Sequence, residues 1–297
     1  METDIVIIGG GPAGLTAGIY SARYGLKTIL IEKGLVGGTM NLATSIQNWP
    51  GVKNSSGAEL MNSFKEHAIE SGVEIKNNQV LEIKDGAQKT IVMQGEEIIA
   101  KAIIVAVGSR SKVLGVRGEK EFLNKGVHSC ATCDGPMYKD KQVVIIGEDN
   151  RAVEEAIYLK SIAKKVMIIT SKKELSAEKA KQENATGIEV LTETTVKEFK
   201  RSKFLEKVVL KDKEGKEFAI EAEGAFIYVG TEPNADFVDV KKDEFGRIIV
   251  NEKMETNKEG IFACGDCIKK ELLQVVTSAG EGATAAFSAS KFIRSKK

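Results

Sequence analysis

The sequence predicts an α/β fold with two Rossmann-like nucleotide-binding-fold domains of the three-layer ββα type, because a strand–glycine turn–helix pattern occurs twice. The first copy is Asp4–Gly14. The second is Gln142–Ala152, with Val143-Val144-Ile145-Ile146-Gly147 as its strand.

In chain order, Ile5-Val6-Ile7-Ile8 is a short apolar run that reads as a buried strand. Gly9-Gly10-Gly11-Pro12-Ala13-Gly14 follows it as G-x-G-x-x-G and opens a helix. Glycines there permit a tight turn and a close approach of backbone to a pyrophosphate, and the helix start offers unpaired N–H groups. Glu32 ends the next strand, Thr28–Ile31, eighteen residues after Gly14, where an acid accepts hydrogen bonds from a ribose. The motif by itself does not separate FAD from NAD. His67 falls in an amphipathic helix and reads as a surface residue. Ala102–Gly108 is an apolar strand ending in a glycine turn, and residues 113–120 read as a linker. After the second glycine turn comes a helix over Ala152–Ala163, then a strand over Lys165–Thr170. The chain closes with a short strand, Gly260–Ala263, and a long alanine-rich helix, Gln274–Arg294.

The 297 residues suffice for two domains, and a net charge of +1 lacks the basic excess of a nucleic-acid binder. No apolar run reaches the length of about 18 residues that a membrane span needs. The chain starts directly in an apolar strand, without the features of a signal peptide, so a cytoplasmic location is expected.

Four cysteines fall in two C-x-x-C pairs, Cys130/Cys133 and Cys264/Cys267. In a reducing compartment such pairs are redox centres, metal ligands or coincidence. A four-thiolate zinc site is disfavoured by the long gap between the pairs, and no metal is expected. A C-x-x-C at a helix start lowers a thiol pKa, and Asp134 directly after Cys133 can hand a proton to a departing thiolate. His128 is a lesser candidate for that proton.

Cys130-Ala131-Thr132-Cys133-Asp134-Gly135 resembles the redox motif of the low-molecular-weight thioredoxin reductases, and the resemblance runs nearly end to end. Further matching segments are Gly9–Gly14, Gly37-Gly38, Asn48-Trp49-Pro50-Gly51, Ala106-Val107-Gly108-Ser109, Gly230-Thr231-Glu232-Pro233-Asn234, Gly265-Asp266 and Gln274–Gly282. The resemblance implies a flavoprotein that reduces thioredoxin or a thioredoxin-like protein, as a homodimer. Its C-terminal segment would return to complete the FAD domain, so one domain is inserted in the other. The plan becomes residues 1–112 and 244–297 for FAD and 113–243 for the dithiol domain. Asp266 would accept a hydrogen bond from the flavin's ribityl chain, and Thr44, Asn48 and Gln274 would line the flavin. Gly38, Thr39, Val80, Ala106, Gly108, Gly265 and Val275 complete the implied FAD site. On its own terms Asp266 also reads as a helix N-cap. The resemblance makes Cys133 the sulfur that meets the flavin. Cys264/Cys267 brackets Gly265-Asp266, where the family has small or apolar residues, and reads as packing, with a second redox pair as the alternative.

The sequence departs from that family where NADPH would bind. The second fingerprint is Gly147-Glu148-Asp149-Asn150-Arg151-Ala152, with Asp149 at the middle glycine. Thr170-Ser171-Lys172 stands at the His-Arg-Arg positions, Ser176 replaces a later Arg, and Leu273 replaces the Arg before Gln274. Lys172 and Lys173 keep charge but not the bidentate fork that suits a phosphate. These departures resemble the ferredoxin-dependent flavin thioredoxin reductases, which use no pyridine nucleotide. An NADPH- or NADH-dependent enzyme and a non-enzymatic flavoprotein redox sensor remain as alternatives. Lys291, Arg294, Lys296 and Lys297 form a basic tail that reads as a ferredoxin patch or, more simply, as a solvated helix end.

Overall fold

Ile5, Val6 and Ile7 have no exposed surface, which requires cover on both faces of their strand and therefore a central place in a sheet. The computed structural model describes all residues except 44, 87, 202, 203 and 297. Two compact units divide the chain: residues 1–110 with 232–297, and residues 111–231.

The first unit begins β1 (Glu2–Ile8), α1 (Pro12–Arg23), β2 (Thr28–Glu32), α2 (Gly57–Glu70), β3 (Glu74–Asn77), β4 (Val80–Lys84), β5 (Lys89–Met93) and β6 (Glu97–Val105). A short strand, β7 (Ser109–Ser111), leads out of it. The second unit runs α3 (Glu119–Phe122), β8 (Val127–His128), α4 (Ala131–Asp134), β9 (Gln142–Gly147), α5 (Asn150–Lys160), β10 (Lys165–Ile169), α6 (Lys179–Asn184), β11 (Glu189–Leu191), β12 (Thr195–Arg201), β13 (Leu205–Lys211), β14 (Glu217–Glu221) and β15 (Gly224–Tyr228). The chain returns through β16 (Thr231–Pro233) and ends in β17 (Ile261–Ala263) and α7 (Val275–Ser295).

In the first unit the strand order is β3-β2-β1-β6-β5-β4, with β17 also on β6. β3, β2, β1, β6 and β17 are parallel, whereas β4, β5 and β6 pair antiparallel. Side chains alternate across this sheet. Ile5, Ile7, Leu30 and Ile104 pack on α1 and α7, and Val6, Ile8, Ile29 and Val105 pack on the opposite layer with Ile91, Val238 and Ile248. The second unit repeats the plan with a parallel sheet β11-β10-β9-β15-β8. Val143, Ile145 and Ile168 face α5, while Val144, Ile146 and Met167 face the antiparallel sheet β12-β13-β14. The fold is α/β, two Rossmann-like units of three layers.

The expected end of the inserted segment at residue 243 is corrected to 231. Ala235 and Val238 are buried with Val6, Ile8 and Val105, so hydrophobic burial ties 232–243 to the first unit. The expected start at 113 likewise moves to 111. His67 lies on α2 and is exposed. Among the described residues no helix is long and apolar enough to cross a membrane.

α7 lies directly on α1, because Gly282 lets the two backbones touch. A Cβ at Gly282 would sit 2.2 Å from the carbonyl oxygen of Ala13. The helices must separate to accept even a methyl group. Gly282→Ala is therefore expected to cost about 2 kcal/mol by overpacking and to lower the Tm by roughly 5 °C. Thermal unfolding followed by circular dichroism measures this, and an unchanged Tm would mean that the contact yields without cost.

Candidate active site

The first unit presents a cradle at the C-terminal ends of its parallel strands. Gly9 has φ of +106°, and a Cβ there would lie 2.3 Å from the Ala106 carbonyl oxygen, so glycine is required where the turn crosses β6. Gly14 presses equally closely on the Gly9 carbonyl. Gly11 is different: among the described residues nothing lies within 4 Å of a Cβ built on it. It is the N-cap of α1, no side chain caps that helix, and Pro12 follows at its first position. The unpaired N–H groups of the first turn thus face open space, an arrangement suited to an anion.

The Glu32 carboxylate accepts from Gly10 N–H through Oε2 and from Gly34 N–H through Oε1, each at 2.7 Å. It borders a cavity of about 110 Å³ with Gly9, Lys33, Gln79, Val80 and Asn234. Gly38 approaches Gly11, its Cβ position lying 3.8 Å from the Gly11 Cα. Thr39 is exposed in the same 3₁₀ turn, Gly38–Leu42. Ala106 donates its N–H to the Ile8 carbonyl, and the Gly108 carbonyl accepts from Asn234 N–H at 3.1 Å.

The returning chain extends this track. Gly265 lies against α1, where a Cβ would be 2.9 Å from that of Ala13. Asp266 Oδ1 accepts from Ser278 Oγ at 3.1 Å and is 3.1 Å from the Lys270 ammonium. Asp266 caps no helix; the N-cap of α7 is Gln274. Lys270 also pairs with Glu281 at 2.9 Å, and Glu281 accepts from Gly265 N–H at 2.8 Å. Burial raises the Glu281 pKa, a shift that Lys270 opposes. At the head of α7, Gln274 Oε1 accepts from Asn48 Nδ2 at 2.9 Å, and Val275 is buried with Ile46, Leu60 and Met61. Thr44 lies outside the described residues.

Contacts therefore lead from Glu32 through Gly10 and Gly11 to Ala13, Gly265 and Asp266. Such an elongated, glycine-lined track with an open helix start and a ribose acid fits a dinucleotide. Asp266→Ala is expected to weaken cofactor retention by about tenfold or more, the loss of one charged hydrogen bond being worth about 1.5–3 kcal/mol. The flavin-to-protein absorbance ratio after gel filtration measures it. Retention equal to that of the parent protein would remove Asp266 from the site.

The second unit holds the dithiol. Cys130 is the N-cap of α4 and is disulfide-bonded to Cys133, whose N–H points at the Cys130 sulfur at 3.2 Å. Cys133 is exposed and Cys130 half-buried. The buried Ala131 between them donates its N–H to the Tyr228 hydroxyl at 2.6 Å. Burial pushes the Tyr228 pKa up, so the phenol stays neutral. Glu155 stands beside it, its own pKa raised by burial against the pull of Arg151.

Asp134 is half-buried, with Oδ2 3.1 Å from His128 Nδ1. That approach is close enough for an ion pair but off the line of a hydrogen bond, and Nδ1 has no hydrogen-bond partner among the described residues. Sequence reasoning missed Tyr228, Glu155 and Tyr138. Tyr228 was detectable, since it ends a parallel strand beside β9, where site residues gather.

Cys264 and Cys267 are both fully buried and unpaired. Cys264 packs with Ile5 and Ile7, and Cys267 with Val6 and Ile8, in separate clusters. Burial raises both pKa values, that of Cys267 to about 12 and that of Cys264 well above the usual thiol range. Among the described residues no group of three or more His, Cys, Asp or Glu forms a metal site.

The second glycine turn is closed where the first is open. Asp149 is the N-cap of α5 and accepts from Ala152 N–H at 2.9 Å. Glu148 Oε2 accepts from Thr170 Oγ1 at 3.0 Å, and the Glu148 carbonyl accepts from Ser176 N–H at 2.8 Å. A cavity of about 230 Å³ remains, bordered by Gly147, Glu148, Thr170 and Ser171. In the basic tail, Arg294 donates to the Tyr24 carbonyl at 3.1 Å and Lys296 pairs with Glu259 at 2.7 Å. Lys291 lies over the Phe287 ring, and Lys297 lies outside the described residues.

The pyridine nucleotide-disulphide oxidoreductase family matches residues 3–282 of the chain. The thioredoxin reductase of Bacillus subtilis (strain 168) is 38% identical over 298 residues, covering 98% of this chain and 94% of that protein. The crystal structure of thioredoxin reductase from Streptococcus pyogenes MGAS5005 superposes with a TM-score of 0.91 at 35% identity, covering 99% of each chain. A ferredoxin-flavin thioredoxin reductase from Clostridium acetobutylicum gives a TM-score of 0.56 at 32% identity, covering 100% of this chain and 99% of that one. The matched region takes in the whole glycine track, and FAD is the cofactor that it binds. With glycine track, helix-start dithiol and near-complete coverage in agreement, the chain belongs to the low-molecular-weight thioredoxin reductases of the pyridine nucleotide-disulphide oxidoreductase family.

Proposed function

We propose that the protein reduces the disulfide of thioredoxin, or of a thioredoxin-like protein, with electrons that reach FAD from reduced ferredoxin rather than from NADPH. The observation that carries the donor is the Asp149 carboxylate, which occupies the helix start where a nucleotide pyrophosphate would be held. The likeness to a ferredoxin-flavin thioredoxin reductase supports the same reading.

Bound FAD would supply two-electron reduction of a disulfide. The Gly9–Gly14 turn and the α1 start would hold its pyrophosphate, Glu32 its ribose, and Asp266 its ribityl chain. Asn48 and Gln274 hold each other beside the flavin. Cys130 and Cys133 take the electrons as a dithiol and pass them to the partner by thiol–disulfide exchange. Asp134 gives a proton to one departing sulfur. The family resemblance makes the exposed Cys133 the sulfur that would receive the flavin's electrons. The assembly is a cytoplasmic homodimer, and Lys291, Arg294 and Lys296 belong to a patch that meets an acidic ferredoxin. The energetics are favourable. A ferredoxin near −400 mV and a thioredoxin near −270 mV differ by about 130 mV, roughly 6 kcal/mol for two electrons.

A second reading is an NADPH- or NADH-dependent reductase. It draws on the remaining cavity beside Gly147, on the exposed Lys172 and Lys173, and on relatives named simply as thioredoxin reductases. Anaerobic titration of the flavin with NADPH, NADH and reduced ferredoxin in parallel separates the two. Turnover with thioredoxin separates both from a flavoprotein that only senses redox state.

A further inference from the structure

Beside the disulfide, a fully enclosed imidazole joins the Asp134 carboxylate to a buried phenol. His128 is 3% exposed and Tyr138 5%. Their side chains meet at 2.6 Å, His128 Nε2 to the Tyr138 hydroxyl. The imidazole lies stacked on Phe226, with centroids 5.3 Å apart and planes at 28°. Tyr138 stands edge-on to the same Phe226 ring at 5.5 Å. The imidazole is thus pinned by a hydrogen bond at one nitrogen and by a ring at its face. Its other nitrogen, Nδ1, has no hydrogen-bond partner among the described residues, and Asp134 Oδ2 lies 3.1 Å from it. A buried polar nitrogen left without a hydrogen bond is costly. Asp134 directly follows Cys133, so a small turn of its carboxyl completes the bond.

We propose that His128, held by Tyr138, is a positioning residue for Asp134: it orients the carboxyl and shares its proton during reduction and reoxidation of the Cys130–Cys133 pair. This rests on the proposed reading of Asp134 as the acid. Asp134 and His128 share one proton, either as carboxyl with neutral imidazole or as carboxylate with imidazolium. Two electrons, which bound reduced FAD would supply while releasing its own proton to solvent, break the S–S bond and leave two sulfur anions. The shared proton leaves the Asp134 oxygen and forms an S–H bond on one of them. The pair is then carboxylate and neutral imidazole, short of one proton. When the dithiol reduces the disulfide of thioredoxin, the thiolate attacks one thioredoxin sulfur and expels the other, the pair takes back the S–H proton as the second sulfur breaks the mixed disulfide, and the two thioredoxin thiolates released are protonated from solvent.

The surroundings suit this role. Tyr138 stays a neutral phenol because burial raises its pKa, helped by the charges of Asp134 and Glu223. It can donate to Nε2 or accept from it. Lys141 lies 5.5 Å from the centre of the Tyr138 ring and is the cation facing that side.

The test uses the holoenzyme with thioredoxin and dithionite as the electron source, so that the natural donor does not enter. His128→Gln keeps the hydrogen-bonding shape but cannot hold a charge. Its rate is expected to fall about tenfold near neutral pH, because the alkaline limb of the pH profile, where the acid loses its proton, moves down by about one unit. The pH profile of iodoacetamide reaction with the reduced thiols is expected to move with it, while FAD content stays unchanged. Tyr138→Phe, which leaves the ring packing intact, is expected to shift both profiles in the same direction by about threefold in rate. It carries the test if His128→Gln fails to fold. Asp134→Asn is expected to lose about a hundredfold or more. Profiles of His128→Gln or Tyr138→Phe that superpose on the parent, with Asp134→Asn impaired, overturn the positioning role and leave the acid in place. An unimpaired Asp134→Asn overturns both.

Discussion

Millimolar NADPH or NADH is expected to leave the anaerobic flavin oxidised, whereas reduced ferredoxin bleaches it. The argument compares two helix starts of one chain. In the first unit Gly11 opens α1 to a ligand, with no side chain among the described residues capping its first turn. In the second, Asp149 bonds Ala152 N–H with its own carboxylate, so the helix start is already satisfied by an anion that a nucleotide would have to displace. Two like charges about 4 Å apart repel by about 4 kcal/mol at an effective dielectric of 20. Solvent screening that removes half of this still leaves roughly a thirtyfold loss of affinity. Glu148, tied to Thr170, adds a second carboxylate at the rim of the cavity. The guanidinium fork for a 2′-phosphate is absent, and the exposed Lys172 and Lys173 offer only point charges. Ferredoxin is commonly acidic, so its reduction of the flavin is expected to slow as salt is raised. Bleaching by micromolar NADPH would return the protein to the nucleotide-dependent class. Asp149→Gly offers a gain-of-function check, since it removes both the cap and the charge and should recover part of any nucleotide binding.

What the sequence made legible was local. The runs Ile5–Ile8 and Val143–Ile146 announce buried parallel strands, and the Gly9–Gly14 turn announces the first helix start, because backbone sterics act over a few residues. The Asp149 substitution was also readable as a lost glycine, but its capping bond to Ala152 became visible only in the fold. Longer-range facts escaped. Residues 232–243 carry no marker of the unit they join, and the burial of Ala235 and Val238 against β1 decides it. Tyr228 reaches the dithiol from nearly a hundred residues away through strand pairing of β15 with β9. Asp266 reads from its neighbours as a residue facing a ligand after a strand or as a helix cap, and its contacts with Ser278 and Lys270 became visible only in the fold. The basic tail read as solvated charge, but Arg294 and Lys296 bond to Tyr24 and Glu259, contacts that depend on how α7 lies.

Replacing either Cys130 or Cys133 with serine is expected to reduce thioredoxin turnover by about a thousandfold or more, to the assay floor, because the remaining thiol has no partner sulfur with which to resolve the mixed disulfide. The fold around them should persist. Serine is a good N-cap, so Cys130→Ser keeps the start of α4, and Ala131 keeps its bond to Tyr228. FAD content should also persist, since the glycine track lies in the other unit. Cys264→Ala and Cys267→Ala are the contrasting variants. A thiol with its pKa at about 12, as at Cys267, is ionised in only about one molecule in ten thousand at pH 8. Burial also raises the Cys264 thiol well above its ordinary range, and the two sulfurs pack into separate clusters. Loss of either sulfur should therefore cost about 1 kcal/mol of stability from packing and leave turnover within about twofold. Thioredoxin turnover and thermal unfolding of the four variants, measured side by side, decide the matter. If Cys264→Ala and Cys130→Ser lose activity equally, both pairs carry electrons, and the buried pair must then open to solvent during the cycle.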